Sequence, residues 1–213
     1  LTNAKVFIDY KTQIDSATII IKNGKILRIG KGVDIPPNAI KINCSNKFIM
    51  PAFIDLYSSY GLPEKITREG GKDEPIYERT SKGPFYWNEA IHPEINPLIY
   101  FKDDTGRAEL LRKCGFGAVI THIPDGIARG PGLFLFMDGS YDNAISSMWF
   151  SLNKGSSSQE YPTSKMGAYA LLRQHFYDAL YEIKDSFSTK DASVFATSSA
   201  LTANSLFCFV ADN

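Results

Sequence analysis

One short stretch, residues 51–59, constrains the fold of this chain more than any other. Its sequence is Pro-Ala-Phe-Ile-Asp-Leu-Tyr-Ser-Ser, an apolar run that opens after a proline and ends at small polar residues. Such a run predicts a short buried strand that carries side chains to a site at its end. The side chains at that end are Tyr57 and Ser59, which lie two apart and so share one face of the strand.

The residues before this stretch predict a small β-sheet domain over residues 1–50. Asn23-Gly24 separates two apolar runs, and Asn-Gly between strand-like segments is a strong signal for a tight hairpin. The predicted strands are short, and a sheet of this size is too small to close into a barrel by itself. They cover residues 4–9, 17–21, 26–30, 39–44 and 48–50.

The residues after it, 51–213, predict an α/β domain with a long loop over residues 60–98. Acidic residues at the start, basic residues at the end and a following glycine predict a helix over residues 103–115, and a buried strand follows at 118–123. A helix followed by a buried strand predicts a parallel sheet covered by helices. Further elements are an antiparallel pair of strands at 133–137 and 148–152, helices at 163–184 and 192–203, and a buried strand at 206–210.

Composition excludes several classes of function. Lys plus Arg and Asp plus Glu both number 23, so no net field attracts nucleic acid or a membrane surface. No apolar run approaches the roughly 20 residues that span a bilayer, which predicts no membrane span. The three cysteines show neither Cys-x-x-Cys nor Cys/His metal spacing. A neutral small molecule or another protein is the partner that this composition favours.

The order of the parts resembles the N-terminal portion of the amidohydrolase superfamily, including the imidazolonepropionase and dihydroorotase type. The resemblance rests on the hairpin around Asn23-Gly24, the Pro-x-Phe-Ile-Asp strand at 51–55 and the segment 111–119 before the next strand. Segments 157–162, 166–167, 171–174 and 177–179 resemble large bacterial exported proteins with two amidohydrolase-like halves. The resemblance implies a small N-terminal β-sandwich-like domain over residues 1–50, followed over residues 51–213 by the first part of a (β/α)8 TIM-like barrel.

The family's metal motif is degenerate in this chain. The family strand ends in Asp-x-His-x-His, whose two histidines bind a divalent metal; Asp55 matches the Asp, while Tyr57 and Ser59 occupy the two His positions. A neutral phenol or hydroxyl is a poor ligand for a Zn²⁺-like ion. We therefore expect no metal or other cofactor in this chain, although the resemblance leaves a divalent metal open for a full-length protein.

Two functional hypotheses follow from the resemblance. In the first, the parent protein is a metal-dependent hydrolase of non-peptide carbon–nitrogen bonds, and this chain is an inactive segment of it. In the second, the chain is a non-catalytic scaffold or interaction module that supports a catalytic partner half. The expected partner is the rest of its own polypeptide or a homologous catalytic half, a homo-oligomer stays open, and the family resemblance implies a periplasmic or secreted location.

Asp55 and His122 are the candidate catalytic residues. Asp55 supports the metal site in the family, and a buried Asp at a strand end is also commonly bonded to neighbouring backbone. His122 lies at the carboxyl end of a predicted barrel strand, where barrel enzymes place their chemistry, and a structural role competes with that interpretation. His92 and His175 are expected at the surface. An anion-binding loop at residues 129–132 is disfavoured, because the segment lacks the Lys-Ser/Thr of a P-loop and the three glycines of a dinucleotide-binding motif. A serine nucleophile at residues 156–158 is disfavoured, because no Gly-x-Ser-x-Gly motif surrounds it.

Overall fold

The computed structural model describes residues 1–63, 75–142, 147–185 and 190–211. The chain divides into two compact units, Leu1–Phe53 and Ile54–Asn213. Within the described residues there are eleven strands, three α-helices and one short 3-10 helix. No helix among them is both long enough and apolar enough to cross a membrane.

The first unit is built on a single four-stranded sheet. Its strands are β1 (Ala4–Phe7), β2 (Gln13–Lys22), β3 (Lys25–Gly30) and β4 (Phe48–Ile49), arranged in the order β3-β2-β1-β4. The predicted hairpin is confirmed: β2 and β3 pair antiparallel, and Asn23 and Gly24 between them both have positive φ, as a tight primed turn requires.

Small and β-branched side chains form the core of this first unit, namely Ala4, Val6, Ala17, Ile19 and Cys44. The strand predicted over 39–44 is wrong, because this segment makes only an isolated bridge between Thr2 and Asn43. Its alternating isoleucines instead remain exposed, Ile40 at 90% and Ile42 at 54%. Alternation alone therefore did not produce a strand, since no neighbouring strand covers that face.

Two small sheets form the second unit. One has the order β5-β6-β8-β9 and the other the order β11-β10-β7. The strands are β5 (Phe53–Ser58), β6 (Phe116–Thr121), β7 (Ala128–Pro131), β8 (Leu133–Phe136), β9 (Tyr141–Asp142), β10 (Ser147–Phe150) and β11 (Leu206–Phe209). Trp149 of β10 packs with Ala118, Ile120 and Phe134 of the first of these sheets, so the two sheets share one apolar cluster.

Three helices cover these sheets: α1 (Thr105–Lys113), α2 (Lys165–Asp185) and α3 (Ala192–Thr202). All three lie where capping and periodicity predict them. Helix α1 packs through Ala108 on Val119 and Leu135, while α2 and α3 pack together over Met148 and Phe150. The chain-terminal strand β11, predicted to be buried, is instead exposed at both of its ends.

The predicted partial TIM-like barrel is wrong. A barrel needs parallel strands, each followed by a helix, but β6 and β8 pair antiparallel, and no helix lies between β6 and β10 among the described residues. The first unit is likewise one sheet and not a sandwich. Only Gly132 separates β7 from β8, and β8 pairs antiparallel with β6 where a barrel would need a βα crossover to a parallel strand.

The strand pairing of β10 also differs from the prediction. Residues 148–152 were expected to pair with 133–137, whereas β10 pairs antiparallel with β7 and parallel with β11. The loop predicted over 60–98 contains only the short 3-10 helix Pro97–Ile99 within its described part, and its residues 64–74 lie outside the described residues. The loop is anchored by Tyr86, whose hydroxyl donates to Asp178 Oδ2 at 2.9 Å.

Helix α1 offers a local test of the capping argument. Asp104 is its N-cap, and Asp104 Oδ1 accepts a hydrogen bond from the Arg107 backbone N–H at 2.9 Å. We expect Asp104→Ala to lower the free energy of unfolding by about 1 kcal/mol, because that N–H loses its partner. Asp104→Asn keeps the acceptor and should lose much less in the same urea titration. An equal loss in both variants would show that the side-chain cap is not the source of the stability.

Candidate functional site

The end of strand β5 carries the residues that the family resemblance singled out. Along this strand Ser58 and Tyr60 are buried, whereas Tyr57 and Ser59 are exposed. Asp55 Oδ1 accepts a hydrogen bond from the Tyr57 backbone N–H at 3.0 Å. Asp55 thus bonds the backbone of its own strand, which is the structural role that its sequence position also allowed.

His122 follows strand β6, next to β5, and lies in an aromatic cluster with Tyr57 and Trp149. Its ring stacks on Trp149 with centroids 4.1 Å apart and an angle of 11°, and the Tyr57 centroid is 4.9 Å away. His122 is only 1% exposed. Its backbone N–H donates to Ser58 O, which ties the end of β6 to β5. The structure therefore brings Tyr57 and His122 together.

The imidazole of His122 is neutral. Burial, assisted by the positive charge of Arg129, lowers the pKa of His122 to about 4. Within the described residues neither ring nitrogen has a hydrogen-bond partner. A buried ring without a charged or hydrogen-bonding partner has no group to orient it for proton transfer, so its stacking on Trp149 is what holds it.

The residues at the end of β5 do not fit the family's metal. A phenol and a hydroxyl stand where imidazoles are needed, and the neighbouring imidazole of His122 stacks between aromatic rings. In the part of the chain that the structure describes, no group of three or more His, Cys, Asp or Glu side chains is placed to hold a metal ion. Zinc sites in proteins use at least three such ligands.

A second candidate site is a cavity of about 270 Å³ in the second unit, with a wall that is mostly apolar and carries several charged groups. Charged groups of both signs line it, together with a histidine and three serines. Apolar side chains form the remaining wall. The lining residues are Leu62, Pro63, Arg79, Ser81, Glu89, His92, Ile95, Tyr100, Ile123, Pro124, Asp125, Lys154, Ser156 and Ser157.

One wall of the cavity is held together by Asp125. Its Oδ1 accepts from the Ser156 backbone N–H and its Oδ2 from Ser156 Oγ, both at 2.6 Å. Gly155, with φ of +65°, lies so close that a Cβ there would meet Asp125 Oδ1. A glycine is needed at this turn for both reasons. The turn places Ser156 against the Asp125 carboxylate, and Lys154 precedes Gly155 in the same turn.

Gln159 joins this wall to the opposite one. It is 1% exposed, and its Oε1 accepts from the Glu89 backbone N–H at 2.6 Å. Its Nε2 donates to Tyr77 O at 2.8 Å and to Trp87 O at 3.2 Å. The backbone carbonyl of Gln159 accepts a hydrogen bond from Lys154 Nζ at 2.7 Å. One buried amide therefore positions the segment that carries Arg79 and Glu89 against the segment that carries Lys154.

The expectation that His92 lies at the surface is wrong. His92 is 7% exposed and lines the cavity, with its Nε2 edge against Gly126 and its Nδ1 without a partner among the described residues. Burial lowers the pKa of His92, an effect that the nearby carboxylate of Asp125 opposes and that Arg79 and Arg129 reinforce. The ring is therefore neutral near pH 7.

His175 is also buried, at 0% exposure, although it was expected at the surface of its helix. Its Nε2 lies 2.8 Å from Thr197 Oγ1, which joins α2 to α3, and its ring meets Tyr86 edge-on at 4.9 Å. Burial lowers the pKa of His175 to about 4 despite the negative charge of Asp178. Its position is structural, between two helices.

The structure also shows what the segments 129–132 and 156–158 contact. The segment Arg129-Gly130-Pro131-Gly132 is not an anion loop, because most of it forms strand β7 and Arg129 Nε donates to Gly126 O at 3.0 Å. Of the serines at 156–158, Ser156 is bonded to Asp125 and not to a histidine that would activate it. Neither segment therefore supports the chemistry that its composition first suggested.

Sequence reasoning missed Asp125, Lys154 and Gln159. The available signals were the turns around them: Asp125-Gly126 and Asn153-Lys154-Gly155 both pair a polar residue with a glycine. These signals predict a loop at each position but do not predict that the two loops contact each other. In comparisons with known proteins, no family model, curated protein or solved structure matches this chain.

Proposed function

We propose that this chain is a non-catalytic amidohydrolase-like module that supports a catalytic partner half, while hydrolysis of non-peptide carbon–nitrogen bonds belongs to the parent protein. The observation that carries the proposal is the cluster of Tyr57, His122 and Trp149, because aromatic packing occupies the position where the family resemblance expects metal ligands. The partner half is the rest of the polypeptide or a homologous catalytic half.

The chemistry of the cluster supports a scaffolding role. Metal-dependent hydrolysis requires an ion that lowers the pKa of bound water, held by imidazole, carboxylate or thiolate groups. Tyr57 offers a phenol whose ring packs on His122 at 4.9 Å and on Trp149 at 5.9 Å. These contacts stabilise the end of β5 and do not present a set of ligands to an ion.

Strand β5 supplies a surface for the partner. It is the edge of its sheet, and Ile54, Leu56 and Tyr57 are 50%, 61% and 52% exposed. An edge strand with exposed apolar side chains offers an apolar surface that another chain can cover. We infer that this edge contacts the catalytic partner half.

Metal analysis tests the proposal. We expect the purified chain, incubated with Zn²⁺ and desalted, to retain less than about 0.1 equivalent of metal by mass spectrometry, because phenol and hydroxyl groups bind this ion weakly. Stoichiometric Zn²⁺ in the folded chain would contradict the non-catalytic assignment.

The double variant Tyr57→His, Ser59→His restores the two family positions and sharpens this test. We expect it to bind Zn²⁺ only weakly, because two imidazoles are fewer than the three or four protein ligands of known zinc sites. The matched control is Tyr57→His, Ser59→Ala, which removes the same aromatic contact with one imidazole fewer. Tight, stoichiometric binding by the double variant alone would mean that the remaining ligands of a metal site survive in this chain.

A further inference from the structure

The 270 Å³ cavity of the second unit combines an apolar wall with charged groups of both signs, which the scaffolding role does not use. We infer that it binds a free α-amino acid with an apolar side chain. The inference does not rest on the proposed function, since the cavity lining contains neither Tyr57 nor His122. Three features of the lining carry it: unused cationic donors, unused anionic acceptors and an apolar wall.

Lys154 and Arg79 supply the donors. Lys154 Nζ donates one hydrogen bond, to Gln159 O, so two of its three N–H groups have no acceptor within the described residues. Arg79 donates from Nε to Ser81 Oγ and from Nη1 to Tyr86 O, and the rest of its guanidinium has no such acceptor in the same residues. These groups are suited to bind the carboxylate of a ligand.

Asp125 supplies the acceptors. Each of its oxygens takes one hydrogen bond from Ser156, and a carboxylate oxygen can accept two. Two acceptor positions therefore remain on a carboxylate that lines the same cavity as Lys154. An ammonium group of a ligand would satisfy them. The neutral ring of His92, whose Nδ1 is unpartnered in the described part of the chain, lines the same space.

The balance of charge favours a zwitterion over a simple anion. Arg79 and Lys154 contribute two positive charges to the lining, and Glu89 and Asp125 contribute two negative charges. A simple carboxylate would be attracted by the cations and repelled by the carboxylates of the same lining. A ligand with one carboxylate and one ammonium matches both signs, since each pole meets the opposite charge.

The apolar part of the lining and the volume of the cavity indicate which kind of side chain the ligand carries. Leu62, Ile95, Tyr100 and Ile123 add apolar surface to the lining of the cavity. A volume of about 270 Å³ lies below the usual range for drug-sized ligands, roughly 300–1,000 Å³, and suits a molecule of amino-acid size. An aliphatic side chain such as that of leucine would lie against these residues.

Three probes of one shape test the two poles separately: L-leucine, 4-methylpentanoate, which lacks the ammonium, and 3-methylbutylamine, which lacks the carboxylate. Titration into the ¹⁵N-labelled chain, followed by amide shifts, should give a Kd of about 1 mM or tighter for leucine. Each of the other two should bind about tenfold more weakly, because it leaves one set of charged groups unpaired. This series needs no substitution, so it tests the inference on the unmodified chain.

Two variants give a crossed control. Lys154→Met should weaken binding of leucine and 4-methylpentanoate but not of 3-methylbutylamine, whereas Asp125→Asn should weaken binding of leucine and 3-methylbutylamine but not of 4-methylpentanoate. Lys184→Gln, at an exposed position on α2, should alter none of the three. Equal affinity of the three probes for the unmodified chain, no binding by any of them, or an equal loss for all three in a folded variant would overturn the inference.

Discussion

Lowering the pH from 7 to 4 is expected to destabilise the second unit by about 3 kcal/mol for each of two buried histidines, His122 and His175. Both have an ordinary pKa of 6.5 that burial lowers to about 4 in the folded chain. Between these values the unfolded chain takes up protons that the folded chain does not. Stability is therefore full above pH 6.5 and is lost progressively as the pH falls toward 4.

Four other groups with shifted pKa values also change the free energy of unfolding with pH. Burial also lowers the pKa of His92, so this third histidine adds to the loss. Burial raises the pKa of Glu94, which has the opposite sign, since the folded chain then binds a proton more readily than the unfolded chain. Hydrogen bonds lower the pKa of Asp9 and Asp138 from 3.8, so the loss of stability that comes from protonating these two carboxylates occurs mainly below pH 4. The loss between pH 6.5 and 5 belongs to the histidines.

Urea titrations at a series of pH values measure this loss directly. His122→Phe keeps an aromatic ring against Trp149 and removes one titrating group, and neither nitrogen of His122 has a partner to lose within the described residues. We expect the slope of unfolding free energy against pH to fall by up to about 1.4 kcal/mol per pH unit in this variant. An unchanged slope would mean that His122 has the same pKa in the folded and the unfolded chain, and the inferred effect of burial would be wrong.

Gln159→Leu is expected to lower the free energy of unfolding by about 4 kcal/mol, a large fraction of the roughly 5–15 kcal/mol of a typical domain. The substitution keeps an apolar stem of similar size and removes the amide. It leaves the Glu89 N–H and the carbonyl groups of Tyr77 and Trp87 without their partner. The hydrogen bond of the Glu89 N–H is buried, and those of the two carbonyl groups are partly buried. An unpaired backbone group that stays away from water retains a desolvation cost of about 1–3 kcal/mol.

Chemical denaturation and hydrogen exchange together check the role of Gln159. The matched control is Gln174→Leu, because Gln174 is exposed and bonds only Asp178 on its own helix, a contact worth about 0.2–0.5 kcal/mol. Amide exchange in residues 77–89 should accelerate in Gln159→Leu more than exchange in α2. A loss below about 1 kcal/mol would show that water replaces the amide, and the proposed assembly of the cavity walls would be wrong.

Local elements of the fold were predictable because local physical chemistry determines them. The Asn23-Gly24 turn forms a hairpin since both residues adopt positive φ, and helix α1 starts at its Asp104 cap. The apolar periodicity of α2 placed that helix within two residues of its observed bounds. Each of these signals lies within a few neighbouring residues of the sequence.

The sheet topology was not predictable in this way. A helix followed by a buried strand, here α1 and β6, indicates one αβ unit but does not specify which strand pairs next. Strand β10 takes β7 as one neighbour and β11 as the other, and β11 lies more than 50 residues further along the chain. Such pairing depends on which apolar faces fit in space, so the expected barrel strands became two small, largely antiparallel sheets.

The two candidate sites also differ in how much of each could be predicted from the sequence. Residues 51–59, with Tyr57 and Ser59 where imidazoles would be needed, already indicated a strand end without ordinary metal ligands. Only the tertiary structure places His122 against Tyr57 and buries it, because stacking with Trp149 requires a residue from another sheet. The cavity depends wholly on tertiary contacts, since Arg79, Asp125 and Lys154 come from three separate loops that Gln159 and Ser156 hold together. Composition and residue identity thus determined which chemistry the β5 strand end lacks, and long-range packing decided where charged groups of both signs converge.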